Sequence, residues 1–250
     1  MAGTALTTLD TYVEDYVSGA TNEAAILLRA TVRTFRDFCD WTHCWKETLD
    51  DISIVAETKS YTLTPGTTNT DAGEVIGLDS AKFKEDGADD SLYSPLGIKS
   101  REYLDEYDKT WEDRDSAPVP YRCFFDELDG KIYLIDTPSV ASTDGLKVRV
   151  WLRPALNATT APGFMFSKYQ EALTFGIVSK MLRMTNQRWS NPELGDYYHG
   201  LYMAERDNAQ QEVDRGRGNI DDYHVKPELA FTGGSKNRSR GFGGGGVFNG

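Results

Sequence analysis

Apolar positions near the start of the chain recur at helical spacing. Leu9, Tyr12, Val13, Tyr16 and Val17 fall along one side of a helix, with Gly19 as its stop. Asn22 is placed to cap a second helix, and Glu23 favours its positive end. There Leu28, Val32, Phe35 and Cys39 recur at i, i+4, i+7 and i+11, a core-facing stripe that runs on to Trp41 and towards Trp45. The period then shortens to two. Segments 51–57 (DISIVAE), 59–64 (KSYTLT) and 74–83 (EVIGLDSAKF) alternate like strands between turn residues such as Pro65-Gly66 and the polar run 86–91. A short amphipathic helix fits 101–113, and Asp129-Gly130 marks the turn of a hairpin within 118–136. In 145–154, Leu146, Val148, Val150 and Leu152 face one way while Lys147, Arg149, Trp151 and Arg153 face the other, the pattern of a half-buried strand.

Helical spacing returns after Pro162-Gly163. Ser167 and Gln170 match a capping box, and Leu173, Ile177, Met181 and Met184 form one stripe. Asn191-Pro192 opens a last helix, with Leu194, Tyr198, Leu201, Ala204 and Val213 on its expected buried face and Gly216 and Gly218 at its close. The pattern predicts an α+β fold: a helical bundle formed by 1–50 and 155–218, interrupted by a β-rich insertion at 51–154. A connector (219–232) and an extended, glycine-rich C-terminal tail (233–250) follow. No internal repeat is evident.

Composition adds one asymmetry. The 250 residues carry a net charge of −12, which argues against a general nucleic-acid coat or a binder of anionic membranes. Yet the last stretch contains Lys236, Arg238 and Arg240 and no acid, so an acidic body ends in a small basic arm, a pattern for contact with a partner. No apolar run reaches the roughly 18 residues of a membrane span. The N-terminus lacks the basic and apolar regions of a secretory signal. Three cysteines form no even disulfide framework, which suits a reducing compartment. The expectation is a soluble product made in a cell's cytoplasm.

Candidate chemistry is sparse. The segment 39–44 (CDWTHC) offers two thiols and an imidazole, but structural zinc needs four ligands. A continuing helix would set Cys39 and Cys44 on different faces, and Cys123 lies far along in a strand, so buried packing thiols are expected. Asp221, Asp222 and His224, and the carboxylates of 126–129, read as solvated loops rather than as an acid–base pair in a cleft. Nucleophile-elbow, phosphate-loop and dinucleotide-binding patterns are absent from the sequence, and 241–246 (GFGGGG) lacks the lysine and following helix that phosphate binding requires. No catalytic residue, metal ligand or cofactor is expected.

The order of several phrases carries a resemblance. The run Phe35-x-x-Phe38-Cys39-x-x-Thr42-x-x-Trp45-Lys46-Glu47 is followed by Asp51 to Glu57 with Tyr61 and Leu63, and by an acidic variable region. Then come Pro118-x-Pro120-Tyr121, Gly130 to Pro138, Val148 to Pro154, Glu171 to Ile177, and Trp189-Ser190-Asn191-Pro192. Over about residues 25–215 the chain resembles the head-to-tail connector (adaptor) proteins of tailed bacteriophages, related to the tail-tubular adaptor family. The resemblance implies a structural virion protein without enzymatic activity, located at the neck of the particle. Its partners would be its own copies in a ring, typically of twelve, the portal protein above and tail or nozzle proteins below. Genomic DNA would pass through without specific binding, and no membrane would be involved. Another tail-tube or baseplate role, a nucleic-acid-binding module acting through the tail, and a hydrolase are the alternatives.

The tail's role rests on its own composition. Eight of its eighteen residues are glycine, too costly to order without a partner. Fully extended it reaches about 60 Å. It reads as a tether whose Lys236, Arg238 and Arg240 meet an acidic neighbour. Phe242 and Phe248, with Val247 between the last glycines and the second ring, would seat in apolar pockets on the portal or an adjacent subunit.

Overall fold

The structure is a computed structural model in which residues 3–65, 73–85 and 92–217 are described. Residues up to Val213 form one compact unit, and those from Asp214 onward belong to a second. The connector and the tail lie outside the described residues.

The chain enters through β1 (Thr4–Ala5), a 3-10 turn (Leu6–Leu9) and α1 (Asp10–Glu14). The first helix is therefore shorter than its apolar spacing suggested. Glu14 ends it by turning its carboxylate onto the next loop, accepting from the N–H of Gly19 at 2.5 Å and of Thr21 at 3.0 Å. Gly19 holds φ +80°, a conformation that favours glycine, and serves as the hinge of this loop rather than as a helix stop. Asn22 does not cap the second helix. It lies in a 3-10 turn (Ala20–Glu23), and Glu23 precedes α2 (Ala24–Thr42) without a side-chain bond.

Helix α2 buries the expected Val32, Phe35 and Cys39, together with Leu27, Thr31, Thr34 and Phe38, so its buried face is broader than one stripe. It stops three residues short of Trp45. His43 takes a left-handed conformation (φ 49°) and its N–H closes the end on the Cys39 carbonyl at 2.8 Å. Trp45 is instead buried in the link to the first strand of the central sheet.

The strands follow as β2 (Lys46–Thr48), β3 (Ile52–Ile54), β4 (Ser60–Thr62), β5 (Gly73–Phe83), β6 (Ser94–Pro95) and β7 (Gly97–Ile98). Helix α3 (Arg101–Tyr107) is capped by Ser100, whose hydroxyl accepts from the Tyr103 N–H. β8 (Arg122–Asp126) and β9 (Lys131–Ile135) form the expected hairpin, with Gly130 at φ +63° in its turn. β10 (Ser142–Pro154) and β11 (Thr160–Ala161) complete the set. β10 is the axis of the fold: it pairs antiparallel with β2 and β3 on one side and with β5 on the other, and β6 extends the sheet beyond β5. A second sheet runs β4-β9-β8-β7, and β1 pairs with β11.

The last part is α4 (Gly163–Lys168), α5 (Gln170–Leu182) and α6 (Pro192–Arg217). Ser167 and Gln170 do not make a capping box. The Ser167 hydroxyl donates back to Phe164 O at 3.1 Å and Tyr169 occupies the cap of α5, because a separate short helix already uses Ser167 in its last turn. Asn191 does cap α6, its side-chain oxygen accepting from Leu194 N–H at 3.2 Å. The face of α6 differs from expectation. Tyr202 and Ala209 are buried, whereas Leu194 and Ala204 are exposed: the buried positions 195, 202 and 209 recur every seven residues and form one narrow strip.

The chain thus adopts the expected α+β class. Its main core joins both kinds of element: α2 packs on α5 and on β10, and Phe35, Phe38, Leu173 and Ile177 share one cluster with Leu146, Val148, Val150 and Leu152. A smaller core of Leu104, Phe124 and Ile135, flanked by Trp111 and Tyr133, fixes α3 to the second sheet.

Gly176 lets these helices approach. A Cβ there would sit 2.5 Å from Thr34 Cγ2 and 2.9 Å from the Tyr202 ring. Thr34 cannot swing away freely, since its hydroxyl bonds Ala30 O at 2.9 Å in the core. Gly176→Ala is therefore expected to destabilise by about 1–3 kcal/mol through overpacking, although alanine is the better helix former. Thr34→Ser, which removes the clashing methyl, should recover part of that loss in a double-mutant cycle of urea midpoints. Additive effects would show that the two sites do not press on each other.

Candidate interaction surfaces

One exposed aromatic group on the helical side is built by three elements. The loop after α1 supplies Tyr16, α5 supplies Phe175, and α6 supplies Tyr197 and Tyr198; Tyr12, one turn before Tyr16, is also exposed. Tyr16 meets Tyr198 edge-on at 5.4 Å and Phe175 at 6.4 Å; Phe175 and Tyr198 are 5.7 Å apart, and Tyr197 adds a further edge contact to Tyr198 at 5.4 Å. These spacings suit favourable ring pairs, so the rings hold one another in place. Tyr12, Tyr16 and Tyr197 nevertheless remain 42%, 44% and 61% exposed. The short α1 buries Val13, and Val17 follows it into the core. No space is left there for the tyrosines that share their spacing. Asp10, Asp15, Glu193 and Asp196 lie close by in the same segments.

The outer face of the central sheet carries the second surface. Register places Thr48, Arg149 and Ser80 in one row across β2, β10 and β5, and Lys147 opposite Lys82 in the next. Together they line a shallow cleft of about 220 Å³. Along the same face Asp79 gathers Lys46 Nζ at 2.8 Å, Trp151 Nε1 at 3.0 Å and Arg149 Nε at 3.6 Å. Arg153 reaches Glu74 and Asp40, each at 3.2 Å, and Glu127 at 3.4 Å, while Arg36 joins Glu74 at 2.9 Å and Pro154 O at 2.6 Å. His43 stacks on Trp151 at 4.2 Å. The polar half of the β10 alternation is thus a set of ion pairs that ties α2 to β5 and β10 and joins β2, β5 and β10 to one another.

Burial by itself would raise the carboxyls of Glu74 and Asp79. The hydrogen bonds and charges of Arg36 and Arg153 on the first, and of Lys46, Trp151 and Arg149 on the second, outweigh it and hold both below the usual carboxylate range. Each group therefore binds its proton less readily folded than unfolded. Its contribution to stability is full above the unfolded value, about 4, and is lost as pH falls through the lower folded value. The urea midpoint is expected to drop between about pH 5 and pH 3, and to drop less steeply in Glu74→Gln/Asp79→Asn. Parallel slopes in the two proteins would rule these ion pairs out as the cause.

The carboxylates at 126–129 serve the hairpin: Asp126 accepts from Leu128 N–H at 3.0 Å and Asp129 from the Tyr133 hydroxyl at 3.0 Å. Beside them, Trp111, Phe124 and Tyr133 with Lys59 and Arg101 line a cleft of about 260 Å³. Among the described residues no group of three or more histidine, cysteine or acidic side chains is placed to hold a metal ion, and no helix is long and apolar enough to cross a membrane. Cys39 and Cys44 depart from expectation. The left-handed turn at His43 folds Cys44 back, and the two thiols lie near enough to shift each other's ionisation instead of lying on separate faces.

Asp221, Asp222 and His224, and the expected contact residues Lys236, Arg238, Arg240, Phe242, Val247 and Phe248, lie outside the described residues. Helical spacing sets Tyr12 and Tyr16 along one side of the first helix but does not tell that they stay exposed, so the aromatic face is not evident from it. The available signal was an excess of large rings in segments too short to bury them all. No model of a known protein family matches the chain, and no curated protein is similar to it.

Proposed function

We propose that the chain is a structural virion protein: the subunit of a homo-oligomeric adaptor ring, with twelve-fold symmetry as the resemblance implies, joining portal and tail at the neck of a bacteriophage. The observation that carries this reading is the exposed aromatic face of Tyr12, Tyr16 and Tyr197, steadied by Phe175 and Tyr198. Aromatic side chains of this kind anchor protein–protein contacts, whereas a monomer gains nothing by leaving them in water. In the ring this face meets the neighbouring subunit, and the net charge of −12 favours passage of DNA over retention. No enzymatic step and no cofactor enter this role.

The C-terminal tail is proposed as a tether, with its three basic residues on an acidic neighbour and Phe242 and Phe248 in apolar pockets of the portal or the next subunit. Reconstruction of the particle that contains this chain tests the reading. A closed ring of this fold between portal and tail supports it. Density for the chain in the tail tube or baseplate would assign it to those parts instead, and a compact monomer within the neck would exclude the ring. The tether is tested separately: Phe242→Ala/Phe248→Ala should weaken attachment of the ring without unfolding the subunit, and unchanged attachment would exclude it.

A further inference from the structure

We propose that Cys44 is a thiol-modification site: it exchanges with small disulfides, and Cys39 resolves the product into an intramolecular Cys39–Cys44 disulfide that staples the end of α2. This inference stands on the fold alone and does not depend on the adaptor role. In an uninterrupted helix, residues five apart point about 140° away from each other. Here the helix stops at Thr42, and the left-handed His43 turns the chain back on itself. Its N–H is spent on Cys39 O at 2.8 Å, and Thr42 pins the next residue: its hydroxyl donates to Phe38 O at 2.7 Å and accepts from Cys44 N–H at 3.3 Å. Helix ends of this type bring the residue after the left-handed position against the last turn. In this chain both of those positions are cysteine.

The two thiols are unequal, as an attacking and a resolving thiol should be. Cys39 is fully buried, whereas Cys44 keeps partial access to solvent. The neighbouring Cys39 thiol favours the Cys44 thiolate; burial opposes it, and the charge of Lys168 adds to the favourable side, so the thiol ionises more readily than usual. Burial, followed by the neighbouring Cys44 thiol, pushes Cys39 well up. Cys123 is an internal control: it is buried, and its thiol is pushed up to about 12.

The chemistry balances with oxidised glutathione as the oxidant. The Cys44 thiolate attacks one glutathione sulfur, the glutathione disulfide bond breaks, and the departing thiolate takes up the proton that Cys44 released. Cys39 then bonds to the Cys44 sulfur, the mixed disulfide breaks, and the second glutathione leaves with the proton of Cys39. The protein loses two electrons and two protons, and one disulfide becomes two thiols.

The test exposes the folded full-length protein to oxidised glutathione, followed by intact mass and peptide mapping without reduction. The expected product is two hydrogens lighter, carries no glutathione and links the peptides of Cys39 and Cys44. Cys39→Ser, or Cys39→Ala if the serine disturbs the core, should stop at a stable single adduct on Cys44. Cys44→Ser should block incorporation, and in the wild type Cys44 should react at least about tenfold faster than Cys123. A persistent glutathione adduct on wild-type Cys44 would overturn the resolving role. Unreacted Cys44, or equal reaction at Cys44 and Cys123, would overturn the site itself.

Discussion

Phe35→Ala is expected to lower the unfolding free energy by about 3–5 kcal/mol, seen as a fall in urea midpoint at unchanged slope. Phe35 is fully buried and meets Phe166 at 5.4 Å between ring centres. It sits on the face of α2 that packs on both α5 and β10, so its ring fills the junction between helices and sheet. Neither side can collapse into the vacated space independently, because β10 is held by strands on both edges and α5 is held close by Gly176. The cost should therefore include the cavity as well as the lost transfer energy. Tyr107→Ala is the comparison: that ring is 67% exposed, and its loss should change stability by no more than about 0.5 kcal/mol. Similar effects at the two sites would mean that the core is packed less tightly than the structure describes.

Under the proposed adaptor role, Tyr16→Asp combined with Tyr197→Asp is expected to abolish assembly of the proposed ring while leaving the subunit folded. A buried aromatic anchor contributes about 2 kcal/mol or more at a protein interface, roughly thirtyfold in affinity for each. Aspartate removes the ring and adds a charge to a face whose helices already carry Asp10, Asp15, Glu193 and Asp196. Because both positions are substantially exposed in the isolated subunit, circular dichroism and the urea midpoint should stay close to wild type. The measurement is incorporation of the variant into particles, by electron microscopy of heads and attached tails. Tailless heads with a normally folded subunit are the expected result. Normal incorporation would show that the contacts lie elsewhere, and the charged face of the central sheet would be the next surface to alter.

Several local features were legible because they depend on neighbours in sequence. The alternation of Leu146, Val148, Val150 and Leu152 places them all in the core, the Asp129-Gly130 turn joins β8 to β9, and Asn191 caps α6. Other readings failed where a distant or unanticipated partner took over. Asn22 falls inside a 3-10 turn that precedes α2 and so cannot cap it, and the narrow buried strip of α6 leaves Leu194 exposed while burying Tyr202.

By itself the sequence determined the α+β class, the paths of β5 and β10, and the broad placement of the helices, because period and turn chemistry are written within a few residues. It also separated an acidic body from a basic, glycine-rich end. Only the tertiary structure decided which of the regularly spaced rings are covered. Tyr12, Tyr16 and Val13 share one spacing, and burial depends on whether α5 and α6 leave room. It likewise decided that Cys39 and Cys44 meet: a single residue with positive φ, His43, reverses a direction that helical periodicity would have extended.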